Sequence, residues 1–199
     1  MPEVHGNLEG IRKSTLDELA ALYDVQLDSD VFMPQDLLQS LCGYSAFLNR
    51  EIAVYITRDG EIADVFIGKA ASIDLPDIRL RRSERRLSMI RCIHTHPSGT
   101  GMLSDVDISA LTSMRFDAMC AVGVAADGHI TSTQCAFLDP SAPDGVNRTE
   151  VINARKLPQA ERILDAGYEI LLLTEDVDEF CMQILAEYDG KKFKSINEE

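Results

Sequence analysis

Two imidazoles and a carboxylate fall within the fourteen residues His94-Thr95-His96-Pro97-Ser98-Gly99-Thr100-Gly101-Met102-Leu103-Ser104-Asp105-Val106-Asp107. Histidine nitrogens and a carboxylate oxygen are ligands that zinc takes readily, and three protein ligands with a fourth position left open is the arrangement of catalytic zinc. Such an ion lowers the pKa of its bound water to about 7 and polarises a carbonyl, so a general base is required nearby. His94 and His96 are expected to share a metal only if the strand end that carries them is twisted or broken, and Pro97 and Gly99 supply a break. If the loop from Ser98 to Leu103 folds back, the first turn of the next helix presents Asp107 to the same ion. The bland alternative is a strand end with polar caps, followed by a plain N-cap pair at Ser104 and Asp107.

The elements that must position these groups are readable in outline. LSMIRCIHTH is apolar and β-branched, a short strand ending in the two histidines. SDVDISALTSMRF reads as a helix in which Ser104 caps the first turn and Asp107 takes the N3 place of a capping-box-like arrangement. Upstream, LDELAALY spaces Leu16, Leu19 and Leu22 at helical intervals, with Ser14 or Thr15 available as a cap and acids in the first turn. A second helix is expected from Pro34 to about Asn49, with Leu37, Leu38, Leu41 and Tyr44 on one side. EIAVYITRDGEIADVFIG predicts a hairpin turning at Arg58-Asp59-Gly60, and AMCAVGVAA with HITSTQCAFL predicts another at Asp127-Gly128. DPSAPDGVN concentrates Pro, Gly, Asp and Asn and reads as a linker. Beyond it the pattern predicts a helix closed by Gly167, a strand YEILLLT, a helix ending at Gly190 and a polar tail.

The chain has 199 residues, 45% of them hydrophobic, enough to bury a core for one domain and an appendage. No apolar run approaches the roughly 18 residues of a membrane span, and MPEVHGNLEG lacks the regions of a signal peptide, so the expected address is the cytoplasm with no membrane partner. The five cysteines, Cys42, Cys92, Cys120, Cys135 and Cys181, have no CxxC spacing and are expected as buried free thiols. A net charge of −14 argues against a broad nucleic-acid surface. The local exception is RLRRSERR, where Arg79, Arg81, Arg82, Arg85 and Arg86 form either a solvated loop or a contact to ribosome, RNA or protein. The acids Glu175, Asp176, Asp178 and Glu179 are most simply a charge cluster at a helix N-terminus.

The spacing H-x-H-P, six residues, S-x-x-D resembles the signature of the JAMM zinc metalloprotease family, with its MPN-type and RadC-like branches. The resemblance implies a mixed β-sheet flanked by helices, an α/β fold similar to MPN-type and cytidine-deaminase-like proteins. It implies zinc on His94, His96 and Asp107, Glu51 in NREIAVYIT as the base that activates a water, and Ser104 as a hydrogen-bond donor to the developing oxyanion. Glu61, beyond the hairpin turn, is a weaker rival to Glu51, for which a surface carboxylate paired with Arg50 is the other reading. GNLEGIRKSTLDELAALYD, REIAVYITRDG, RLSMIRCIHTHPSGTGMLSDVDISAL and RFDAMCAVGV, within about 4–138, resemble the extra N-terminal region of some bacterial HflX-type GTPases. No G-x-x-x-x-G-K-[ST] loop occurs, so no nucleotide site of that kind is expected here. LPQAERILDAGYEILLLTEDVDEFCMQILAEYDGKKFKS, about 157–195, resembles a piece of the middle region of HtpG-type heat-shock chaperones.

The expected organisation is a JAMM-type domain over 1–139, a linker over 140–150, and a chaperone-like helix-strand-helix appendage over 151–199. The expected function is zinc-dependent hydrolysis of a peptide or isopeptide bond in a protein or peptide substrate. Two alternatives stand beside it: a non-catalytic module accessory to an HflX-type, ribosome-linked GTPase, and a chaperone-related interaction fragment.

Overall fold

Seven strands and three helices make up the described part of a computed structural model, which covers residues 3–29, 31–75, 88–114, 116–137 and 170–173. In chain order they are β1 (His5–Gly6), α1 (Lys13–Ala20) with a 3-10 turn at Ala21–Asp24, α2 (Gln35–Leu48), β2 (Ile52–Thr57), β3 (Ile62–Ile67), β4 (Ile90–His96), α3 (Asp105–Met114), β5 (Ala118–Val124), β6 (Ile130–Phe137) and β7 (Ile170–Leu173). The strands form one mixed sheet in the order β1-β3-β2-β4-β5-β6-β7, with β1 parallel to β3, β4 parallel to β5, and every other pair antiparallel. The α/β class expected from the sequence, a mixed sheet flanked by helices, is the one found.

Both hairpins lie where their Asp-Gly turns place them, and Gly60 and Gly128 take φ of +86° and +87°, a backbone conformation that glycine enters without a Cβ clash. Side chains alternate along each strand, so one sequence feeds two cores. Ile52, Val54 and Ile56 pack with Ile93, Val122 and the α2 residues Leu37, Leu38 and Leu41 on one face. Ala53 and Tyr55 pack with Cys92, Met119 and the α3 residues Ile108 and Leu111 on the other. Burying each large aliphatic side chain contributes on the order of 2 kcal/mol. The α2 helix runs from Pro34 to a left-handed C-cap at Asn49, as its sequence predicts. The start of α1 differs from expectation. Arg12 is its N-cap residue and makes no side-chain cap bond, Ser14 and Thr15 lie inside the helix, and no acid occupies the first turn. Thr15 is buried instead, because the apolar face of this short helix docks on the core through Leu19.

The parallel pairing of β4 with β5 requires a crossover, and the connection is the loop 97–104 followed by α3. That crossover carries the first turn of α3 back over the C-terminal end of β4, the central strand. It also leaves little room at one point. A Cβ on Gly101 would stand 2.2 Å from the Ser132 carbonyl oxygen and 2.7 Å from the Gly123 nitrogen. Gly101→Ala is therefore expected to lower stability in urea unfolding by roughly 1–3 kcal/mol, as overpacking does. An unchanged midpoint would show that the loop is not seated so closely.

Cys42, Cys92, Cys120 and Cys135 are buried free thiols, in line with expectation. The expected linker, the Arg79–Arg86 loop and the ribosome or RNA contact expected of it, Cys181 and the helices expected near the C-terminus fall outside the described residues. Among the described residues no helix is long and apolar enough to cross a membrane.

Candidate metal centre

His94 and His96 both sit in unbroken β4. Strand side chains alternate, so residues two apart share a face, and the expected twist or break of the strand end is not needed to bring them together. Their rings lie 4.7 Å apart, centroid to centroid, on the α3 side of the sheet. The turn after the strand is supplied as expected, with Gly99 at φ +81° and its N–H donating to the His96 carbonyl at 3.3 Å.

Asp107 reaches the pair from the first turn of α3. One ligand atom from each of His94, His96 and Asp107 falls within 4.8 Å of the other two, the one such group of three or more among the described residues. Each side chain is held from behind. The backbone N–H of Ser104 and its hydroxyl both donate to Asp107 Oδ2 at 2.7 Å, while the Asp107 N–H donates to Ser104 Oγ at 3.2 Å, the expected capping box. Oδ1 is left facing Nε2 of His94 at 3.3 Å, without hydrogen-bond geometry. Nδ1 of His96 lies 2.9 Å from the Thr100 carbonyl, a bond that puts the proton on Nδ1 and leaves Nε2 as the free lone pair. His94 is fully buried, and neither of its ring nitrogens has a hydrogen-bond partner. Burying a polar group in that state is costly unless something else binds it, and the pattern fits a cation among these three donors.

Glu51 lies outside that group of three but near enough for His94 and Asp107 to act on its carboxyl. It precedes β2, is 7% exposed, and its backbone is pinned by bonds from its N–H to the Lys69 carbonyl and from Gly68 N–H to its own carbonyl, both 2.8 Å. Burial pushes its carboxyl up to about 7, His94 opposes that and Asp107 adds to it. Burial also works against ionisation of Asp107, but the adjoining His94 and the two Ser104 bonds hold that carboxyl well below the usual range. Burial, with His94 alongside, pushes the His96 imidazole down to about 4. Asp107 is thus held anionic and His96 neutral, and Glu51 stays close to protonation balance at neutral pH, as a general base should. Glu61 stands at the hairpin turn, bridged to Gln26, away from the cluster.

The Ser104 hydroxyl is engaged with Asp107, so its geometry makes it a holder of that carboxylate. Sequence reasoning passed over Thr95, whose buried hydroxyl receives the Ile52 N–H at 3.0 Å and sits 3.3 Å from the Ile52 carbonyl, tying the chain next to Glu51 to the histidine strand. The only signal for it was a hydroxyl between two histidines.

Comparison with known proteins places the similarity elsewhere in the chain. The family model described as Hsp90 protein matches residues 145–199. That segment is Hsp90-like. Chaperone protein HtpG of Bacillus subtilis (strain 168) is 57% identical over 61 residues, 31% of this chain and 9% of that protein. HtpG of Clostridium perfringens (strain 13 / Type A) is 57% identical over 42 residues, 21% of this chain and 7% of that one. The chain therefore spans less than a tenth of the length of these curated relatives. The HtpG-type resemblance of the C-terminal segment is the part of the sequence expectation that stands. The labels of JAMM metalloprotease with an MPN domain and of an HflX-type N-terminal region are corrected, because the family that matches is the Hsp90 chaperone family. A His-x-His strand end followed by a Ser-x-x-Asp helix start obeys strand alternation and capping rules common to many folds, so its spacing was a weak basis for a family name.

Proposed function

We propose that the Hsp90-like segment contacts partner proteins and that the sheet domain binds one zinc ion through His94, His96 and Asp107, poised to activate a water for hydrolysis. The observation that carries the metal reading is the fully buried His94, with both ring nitrogens lacking a hydrogen-bond partner beside Asp107 and His96. Zinc bound there would supply a Lewis acid for a carbonyl and lower the pKa of water. Glu51, with its carboxyl near 7, is the group that would take the proton of a water and return it to the leaving group. Ser104 holds Asp107 in place through its paired hydrogen bonds. The similarity to chaperone protein HtpG supports an interaction role for residues 145–199.

Elemental analysis of the full chain purified without chelator tests the metal reading. About one zinc per chain is expected in the parent and in Glu51→Gln, and none in His96→Ala. A parent that holds no zinc and gains none on addition sinks the hydrolytic reading and leaves the interaction role alone.

A further inference from the structure

The loop between the histidines and Asp107 is tied down by a strand that contributes no ligand. Thr131 Oγ1 donates to the Gly99 carbonyl at 2.7 Å, Ser132 Oγ accepts the Gly101 N–H at 2.9 Å, and Gln134 Oε1 accepts the Leu103 N–H at 2.6 Å. Every second residue of the loop is thus bonded to a β6 side chain, as though the loop were one more strand laid across the sheet. Leu103 and Gln134 are fully buried, so the last of these bonds is shielded from water. Gln134 also carries a cost. Its Nε2 is buried without a hydrogen-bond partner, and an apolar side chain would avoid that penalty. Packing alone does not explain an amide here, whereas the need to hold Leu103, one residue before Ser104, does.

We infer that Gln134, assisted by Ser132 and Thr131, is a positioning residue for the metal centre: β6 fixes the loop so that Asp107 meets His94 and His96 in ligand geometry before any ion arrives. The inference rests on the metal reading above. The register places Gln134 two strands from His94, paired through Ala121, so it acts through the loop and touches no ligand position in sequence. Outer-shell groups that orient ligands in this way typically change metal affinity by about 10–100-fold.

The test uses the full chain, with zinc affinity from competition against a chromophoric chelator and the visible absorption of the Co²⁺ form as a report on ligand geometry. Gln134→Met is expected to weaken zinc binding by roughly 10–100-fold and to alter the Co²⁺ bands. Thr131 is exposed, so its variants should fold. Thr131→Val, which lacks the donor, is expected to bind zinc more weakly than Thr131→Ser, which keeps it. Parent-like affinity and spectra in both Gln134→Met and Thr131→Val overturn the inference. Should Gln134→Met fail to fold, the Thr131 pair decides, and equal affinities of Val and Ser overturn it. A parent without zinc overturns the metal reading itself and this inference with it.

Discussion

Glu51→Gln is expected to stabilise the metal-free chain at pH 8 by on the order of 3 kcal/mol relative to its effect at pH 4. The size follows from a carboxyl moved from 4.5 to about 7 by burial. The sign follows from which form the fold prefers. The folded chain favours protonated Glu51, so that contribution is whole below the ordinary value near 4.5 and is lost as pH rises through about 7. Glutamine does not titrate and keeps it. Urea unfolding in chelator at the two pH values measures the difference, and a pH-independent gap between parent and variant would show that Glu51 is not held in a desolvated place. For any amide substrate the parent hydrolyses, the same variant should lose roughly 10²–10⁴ in rate with its zinc retained, as loss of a general base does.

Removing Asp107 should affect both metal and fold, and two substitutions separate these effects. Asp107→Asn removes the anionic ligand but keeps an oxygen able to receive the Ser104 donors, whereas Asp107→Ala removes ligand and cap. Zinc affinity is expected to fall by more than about 100-fold in both, beyond what an outer-shell group commands. Both variants lose the metal-free stability that the depressed carboxyl adds at neutral pH, and the alanine variant should lose about 1 kcal/mol more through the missing cap. The depressed carboxyl of Asp107 adds stability that is present above its ordinary value and is lost as pH falls through its lower folded one. His96, pushed down to about 4, likewise disfavours the folded chain as pH falls below the ordinary imidazole value of 6.5. Both variants should narrow the pH effect at Glu51, because Asp107 helps to raise it. Tight zinc binding by Asp107→Asn would remove Asp107 from the ligand set.

Much of the sheet domain was legible because its signals are local. Asp59-Gly60 and Asp127-Gly128 placed two hairpins, Pro34 and Asn49 bracketed α2, and the Ser104–Asp107 capping box marked the start of α3. The α1 cap was missed because tertiary docking through Leu19, and not a side-chain cap, sets where that helix begins. The two-residue β1 was missed because a strand that short has no period to read, and only its pairing with Phe66 and Ile67 of β3 makes it one.

By itself the sequence determined the donors: two histidines two apart at a strand end, a carboxylate in the first turn of the helix that follows, and an Hsp90-like segment after them. Tertiary structure decided that β4 lies at the centre of the sheet, that its parallel pairing with β5 carries α3 back over the histidines, that Glu51 is buried beside them, and that Gln134 anchors the loop. The physical reason is range. Alternation, turn chemistry and capping act between residues a few positions apart, whereas strand order, burial and the bond from residue 134 to residue 103 join parts of the chain that no local period relates.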